Sequence, residues 1–192
     1  MKKSFVLPVV LALFASLSVS VTSYGQGGRS VYLELLGASN GLGVNYDARF
    51  NRDASSGLGW RTGLGFGYSY STIGVAYGFS RTCTSDDGVQ LDMSHIYNQS
   101  FRAVIPVEIN YLLGNGPSKL DLGAGSMLCA VLYTSKDGGE PKTRFGAVPY
   151  LSAGYRLVSA KGFVFRAGFI SPYSSVDKRF FFWPHLGFGK AF

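Results

Sequence analysis

The sequence predicts an all-β chain, an eight-stranded antiparallel up-and-down transmembrane β-barrel. Three observations carry that expectation. Glycine supplies 26 of the 192 residues, with 15 Phe and 12 Tyr, and only 15% of the chain is charged, below the ~25% usual in soluble domains. Eight segments alternate apolar and polar residues at period two, the signature of strands with two different faces. Within them, charge and glycine gather on the face opposite the apolar residues. The same composition excludes other classes. There is too much apolar surface for disorder, and two cysteines cannot staple a disulfide-rich scaffold. Glycine and aromatic residues are poor helix formers, which speaks against a helical bundle.

The first element is a leader, residues 1–25, followed by the barrel domain, residues 26–192. Lys2 and Lys3 form a positive start, Phe5 to Ala15 an apolar stretch, and Ser16 to Ser23 a run of small residues. This is the pattern of a secretory signal peptide. The alternative, an N-terminal membrane anchor, would need a longer apolar run to cross a ~30 Å hydrocarbon core. Ser23-Tyr24-Gly25 is an acceptable cleavage site and would leave Gln26 first. The remaining chain carries 16 basic and 11 acidic residues.

The expected strands are Val31–Leu36, Leu42–Phe50, Leu58–Ser69, Phe101–Leu112, Leu120–Ala130, Phe145–Leu157, Phe163–Ile170 and Phe182–Phe192. Most approach the ~9–11 residues that a tilted strand needs to cross a bilayer. The second segment turns Leu42, Val44, Tyr46, Ala48 and Phe50 to one face. The third turns Leu58, Trp60, Thr62, Leu64, Phe66 and Tyr68 the same way. The fourth does so with Phe101, Ala103, Ile105, Val107, Ile109 and Tyr111, and the sixth with Phe145, Ala147, Pro149, Leu151, Ala153 and Tyr155. The last shows Phe182, Pro184, Leu186, Phe188 and Phe192.

Charges and glycines test this phase independently. Glu34, Asp47, Arg49, Arg61, Arg102, Glu108, Asp121, Arg156 and Arg166 all fall on the other face; only Lys190, near the chain end, does not. Gly43, Gly59, Gly63, Gly65, Gly67, Gly123, Gly125, Gly146, Gly154, Gly168, Gly187 and Gly189 fall with the charges. Lipid explains the pattern. A sheet in a bilayer must close, because unpaired edge groups cannot be solvated there. Eight strands enclose a lumen just wide enough for side chains to fill. Crowding then favours glycine inside, charge is tolerated inside, and the outside must be apolar. A soluble barrel would reverse the two faces.

An even strand number places both termini on one side, expected to be the periplasm. The short connections Asn51–Gly57, Leu113–Lys119 and Val158–Gly162 then lie there. The external connections are Gly37–Gly41, Tyr70–Ser100, Val131–Arg144 and Ser171–Phe181, with Ser39-Asn40-Gly41 reading as a tight hairpin. Thr72–Ser80 and Gln90–Asn98 would extend the longest of these as a hairpin. Phe50, Trp60, Tyr111, Tyr155, Phe163 and Phe192 fall near the inner interface. Tyr68, Phe101, Phe145, Phe169 and Phe182 fall near the outer one, as two aromatic girdles.

With these elements in place the chain resembles the small outer-membrane β-barrels of Gram-negative bacteria, the size class of OmpX and the OmpA barrel. The segment from Phe182 to Phe192, with apolar residues alternating up to a terminal Phe, looks like a C-terminal assembly signal carried by Phe188 and Phe192. Lys190 replaces the aromatic often found at its place. The stretches Gly41–Phe50, Pro106–Gly114 and Leu120–Gly125 resemble Bacteroidetes-type members. The resemblance implies an outer-membrane location, recognition by the barrel-assembly machinery, contact with outer-membrane lipid and lipopolysaccharide, and a monomer.

The inward charges, five arginines against four acids, suggest an ion-pair network filling the lumen, since a buried charge needs a partner. A polar conduit is the competing reading. Cys83 in the long loop and Cys129 near the external end of strand five both meet an oxidising compartment, and a disulfide between them would pin the loop over the mouth. His95 and His185 do not match the His–Ser pattern of lipid A deacylases, and His185 is expected to be a satisfied lumen residue. Neither histidine has metal-ligand spacing, so no cofactor or metal is expected. The basic residues are scattered, with no cluster longer than two, so nucleic acid is not expected as a partner. Arg81, Lys136, Lys142, Arg144, Lys178 and Arg179 are candidates for lipopolysaccharide phosphates. The leading expectation is a non-enzymatic barrel with a filled lumen and a structural or loop-mediated recognition role. Passage of small solutes, lipid modification and a soluble secreted barrel are the alternatives.

Overall fold

The computed structural model describes residues 28–70, 97–135, 142–174 and 178–192. The segment expected to be a leader therefore lies outside the described residues, as do Arg81, Cys83, His95, Lys136 and most of the longest connection. The strands are β1 (Arg29–Leu36), β2 (Gly41–Arg49), β3 (Gly57–Tyr70), β4 (Tyr97–Leu113), β5 (Ser118–Ser135), β6 (Lys142–Val158), β7 (Phe163–Ser174), β8 (Arg179–Phe180) and β9 (Trp183–Ala191). A 3-10 turn, Gly37–Ser39, joins β1 to β2.

Every ladder is antiparallel. The strands from β1 to β7 pair each with the next, β7 pairs with β9, and β9 pairs back with β1, Ser30 opposite Ala191 and Leu36 opposite His185. That closes a ring of eight strands. β8 is a two-residue ladder on β7 outside the ring, Tyr173 opposite Phe180. The chain folds as an eight-stranded antiparallel up-and-down transmembrane β-barrel.

Side-chain placement follows the period-two pattern. Along β4, Phe101, Ile105, Val107, Ile109 and Tyr111 are exposed, while Arg102, Val104, Glu108, Asn110 and Leu112 are buried. The exposed aromatics form two bands. Tyr68 stands opposite Phe101 across β3–β4, with Phe145, Phe169 and the 82%-exposed Phe182 in the same band. Phe50, Trp60, Tyr111, Tyr155 and Phe163 are exposed towards the other end. An exterior this apolar around a charged interior is the arrangement that lipid demands.

Three expectations are corrected. Residues 131–135, 142–144 and 171–174, expected in loops, are strand, with Val131 opposite Arg144 and Tyr150 opposite Pro172. The barrel wall is thus taller than the apolar segments alone indicate, because backbone pairing continues past the lipid-facing pattern. The β1–β2 connection, expected as an external hairpin, folds into the lumen. Gly37, Ala38, Ser39 and Asn40 are all buried, and positive φ at Leu36 (62°), Gly37 (56°) and Asn40 (55°) turns the chain inward and back. Finally, charge fills only part of the interior. Ala38, Val104, Met127, Cys129, Val148, Tyr150 and Ile170 form a buried apolar cluster with Trp183 packed against it. Lipid forbids charge outside but does not demand it inside, so the phase rule is silent on this cluster.

Candidate functional site

The candidate site is the lumen. Inward positions of β1 to β7 deliver four arginines and four acids to one connected network. Arg156 of β6 meets Asp47 of β2 with two parallel bonds, Nη1 to Oδ1 and Nη2 to Oδ2, each 2.8 Å. β2 and β6 stand four strands apart in a ring of eight, so this bidentate pair spans the barrel's full width. Arg156 also donates to Asp121 through Nε at 3.1 Å and Nη2 at 2.9 Å. Arg166 donates to Asp121 at 2.6 Å and to the Tyr32 hydroxyl.

Arg61 holds the second half. Its Nη1 donates to Tyr32 Oη at 3.1 Å and Glu34 Oε2 at 3.3 Å; its Nη2 donates to Glu108 Oε2 at 2.5 Å and Tyr150 Oη at 3.2 Å. Arg49 donates to Asp47 and to Asn110 Oδ1, each at 2.6 Å, and to the Gly57 carbonyl at 2.8 Å. Asn110 in turn donates to Asp47 Oδ2 at 2.6 Å. Arg61, Arg166, Glu34 and Glu108 are all among the fully buried side chains. Charge-assisted and bidentate bonds of this kind are the strong ones, and here they fix side chains from seven strands.

The inward turn caps the network. Ser39 donates to Glu34 Oε1 through both its backbone N–H and its hydroxyl, at 3.1 Å each, and Asn45 Nδ2 donates to Ser39 Oγ at 3.1 Å. Glycines make the space. A Cβ at Gly65 would meet the Ser39 backbone, and one at Gly67 the Asn40 carbonyl. Likewise Gly59 leaves room for Arg49, Gly63 for Asn45 and Gly123 for Glu108.

No family model and no curated protein matches the chain. Among solved structures, it is similar to the N-terminal β-barrel domain of Pseudomonas aeruginosa OprF. The TM-score is 0.52 at 11% identity, covering 87% of this chain and all of that domain. The fold is that of the small eight-stranded outer-membrane β-barrels. Two further barrels are similar at lower scores. The attachment invasion locus protein Ail of Yersinia pestis has a TM-score of 0.46 at 13% identity, covering 86% of this chain and 95% of Ail. Neisserial surface protein A has 0.49 at 14%, covering 85% of this chain and 93% of that protein.

Within this outer-membrane barrel fold, eight of the nine charged residues singled out from sequence meet in the network. Arg102 is buried on the same inner face but further along β4, level with Gly67 and Val131. Sequence reasoning missed Tyr32, Asn45, Asn110 and Tyr150, although their inward phase was readable. Cys129 is buried in the apolar cluster; its suggested partner Cys83 lies outside the described residues. His185 is inward and buried, as expected, and its Nδ1 has no hydrogen-bond partner among the described residues. Phe188 packs on Phe165 with ring centroids 5.3 Å apart, and the Phe192 N–H donates to the Arg29 carbonyl at 3.0 Å.

Proposed function

We propose that the chain serves the outer membrane as a closed, non-enzymatic barrel, with both termini in the periplasm. Its contribution is to envelope architecture or to recognition by the segments beyond the strand ends, rather than to passage of solutes. The Arg156–Asp47 pair carries this reading. A bidentate bridge between opposite strands, with the buried Gly37–Asn40 turn beyond it, supports a lumen filled by side chains rather than an open channel. His185 supports the non-enzymatic part, since it faces the lumen and not the lipid face where a lipid-modifying group would be needed.

The test is conductance of the purified protein in planar lipid bilayers. Absence of stable single-channel steps is expected. Reproducible steps from the wild-type protein, lost on unfolding, would overturn the closed reading. Orientation is checked by antibody against a C-terminal epitope, which should be unreactive on intact cells and reactive after permeabilisation.

A further inference from the structure

One inward cation, Lys119, stands beside the lumen network without joining its ion pairs. Arg49, Arg61, Arg156 and Arg166 meet the carboxylates of Glu34, Asp47, Glu108 and Asp121. Lys119 meets none among the described residues. The Lys119 side chain, only 4% exposed as a residue, has one hydrogen-bond partner, the Ser55 carbonyl at 2.6 Å. Its direct cross-strand neighbour is Arg156, and the next residue in that row is Arg166. Three buried cations therefore stand side by side, and like charges placed directly opposite destabilise a sheet.

These groups line a vestibule of about 30 Å³ at the mouth where β1 begins and β9 ends. Arg29, Arg49, Lys119 and Arg156 contribute to its wall, against the single carboxylate of Asp47. Asp47 is already engaged by Arg49, Arg156 and Asn110. A water needs roughly 10–15 Å³ of such space, so the vestibule admits a group of two or three heavy atoms while the rest of a larger molecule stays outside.

We propose that this mouth is a binding site for a small oxyanion head group, a carboxylate or the end of a phosphate, held chiefly by Lys119, with Arg49 and Arg156 in the same wall. A buried ammonium beside other cations is costly unless a counter-charge is supplied, and the one carboxylate in the vestibule wall, Asp47, is already engaged by Arg49 and Arg156. The site does not depend on whether the lumen conducts.

The test is titration of the detergent-purified protein with inorganic phosphate and, separately, acetate, followed by backbone amide shifts of Ser30, Ser55 and Lys119. Saturable shifts are expected with one or both anions; which anion saturates names the chemistry. Lys119→Gln should weaken binding about tenfold or more, the effect of losing one charged contact. Lys161→Gln, on an exposed turn, should leave it unchanged. Lys119→Arg keeps the charge and is expected to retain saturable binding, which keeps the proposal testable where Lys119→Gln does not fold. No saturable shift with either anion would overturn the site, as would an affinity insensitive to Lys119→Gln.

Discussion

Glu34 and Ser39 lock the inward turn to the lumen network. One carboxylate oxygen of Glu34 accepts both donors of Ser39 while the other accepts from Arg61 at 3.3 Å. The same side chain thus neutralises an arginine and anchors the plug, and the two roles separate by mutation. Ser39→Ala removes one neutral-to-charged bond and is expected to cost about 1.5–3 kcal/mol. Glu34→Ala removes the anchor and also leaves Arg61 with Glu108 as its only carboxylate, and is expected to cost about 3–5 kcal/mol. Urea unfolding in detergent micelles, followed by the electrophoretic shift between folded and unfolded barrel, measures both. Neither variant is expected to conduct, because Arg156 still bridges to Asp47. Equal costs for the two variants would contradict the double role.

The network also predicts an asymmetry between Arg156 and Asp47. Removing Arg156 leaves Asp47 with Arg49 and Asn110, and leaves Asp121 with Arg166. Removing Asp47 takes from Arg49 its only carboxylate and from Arg156 its bidentate partner. Asp47→Ala should therefore destabilise more than Arg156→Ala, with the larger effect about 3–5 kcal/mol. The double variant should cost less than the sum of the two, since interacting residues couple by about 0.5–3 kcal/mol. The unfolding midpoints of the three variants supply the cycle.

The barrel was legible in the sequence because lipid imposes one rule on every strand. Val107 and Ile109 must face out, so Glu108 between them must face in, and the alternation propagates along each segment. The turn at Gly37–Asn40 was not legible as a plug. Gly-Ala-Ser-Asn is an ordinary turn sequence, and only its partners reveal it. The signal lay in Gly43, Gly65 and Gly67, three inward glycines on neighbouring strands, where a side chain would strike Ser39 or Asn40. Lys119 belongs to a turn by sequence, because it precedes the apolar run that starts at Leu120. Backbone pairing of Ser118 with Leu157 draws it into the barrel wall.

Those glycines give a prediction that isolates the plug. A Cβ at Gly65 would lie 2.6 Å from the Ser39 Cα and 2.8 Å from its carbonyl carbon, both backbone atoms that cannot swing aside. Gly65→Ala must push the turn out of its seat and is expected to cost about 1–3 kcal/mol, the usual penalty of overpacking. Gly116→Ala, with nothing within 4 Å of its Cβ, should stay within about 0.5 kcal/mol of wild type. The same unfolding assay separates them, and equal stability of the two variants would mean that the turn does not fill the lumen.

The lipid face carries the prediction that distinguishes a membrane barrel from a soluble one. Ile105 is exposed halfway along β4, between Phe101 in one aromatic band and Tyr111 in the other. In water an exposed isoleucine accepts arginine with little change, since surface substitutions usually fall within about 0.5 kcal/mol. In a bilayer the same change at mid-depth is expected to cost about 2–4 kcal/mol, falling to about 0–1 kcal/mol near an interface. Ile105→Arg should therefore fold far less stably into lipid vesicles than Tyr111→Arg, although both positions are similarly exposed, at 45% and 47%. Folding efficiency across a urea series into vesicles reads the difference directly. A depth-independent cost would mean that this face does not meet hydrocarbon.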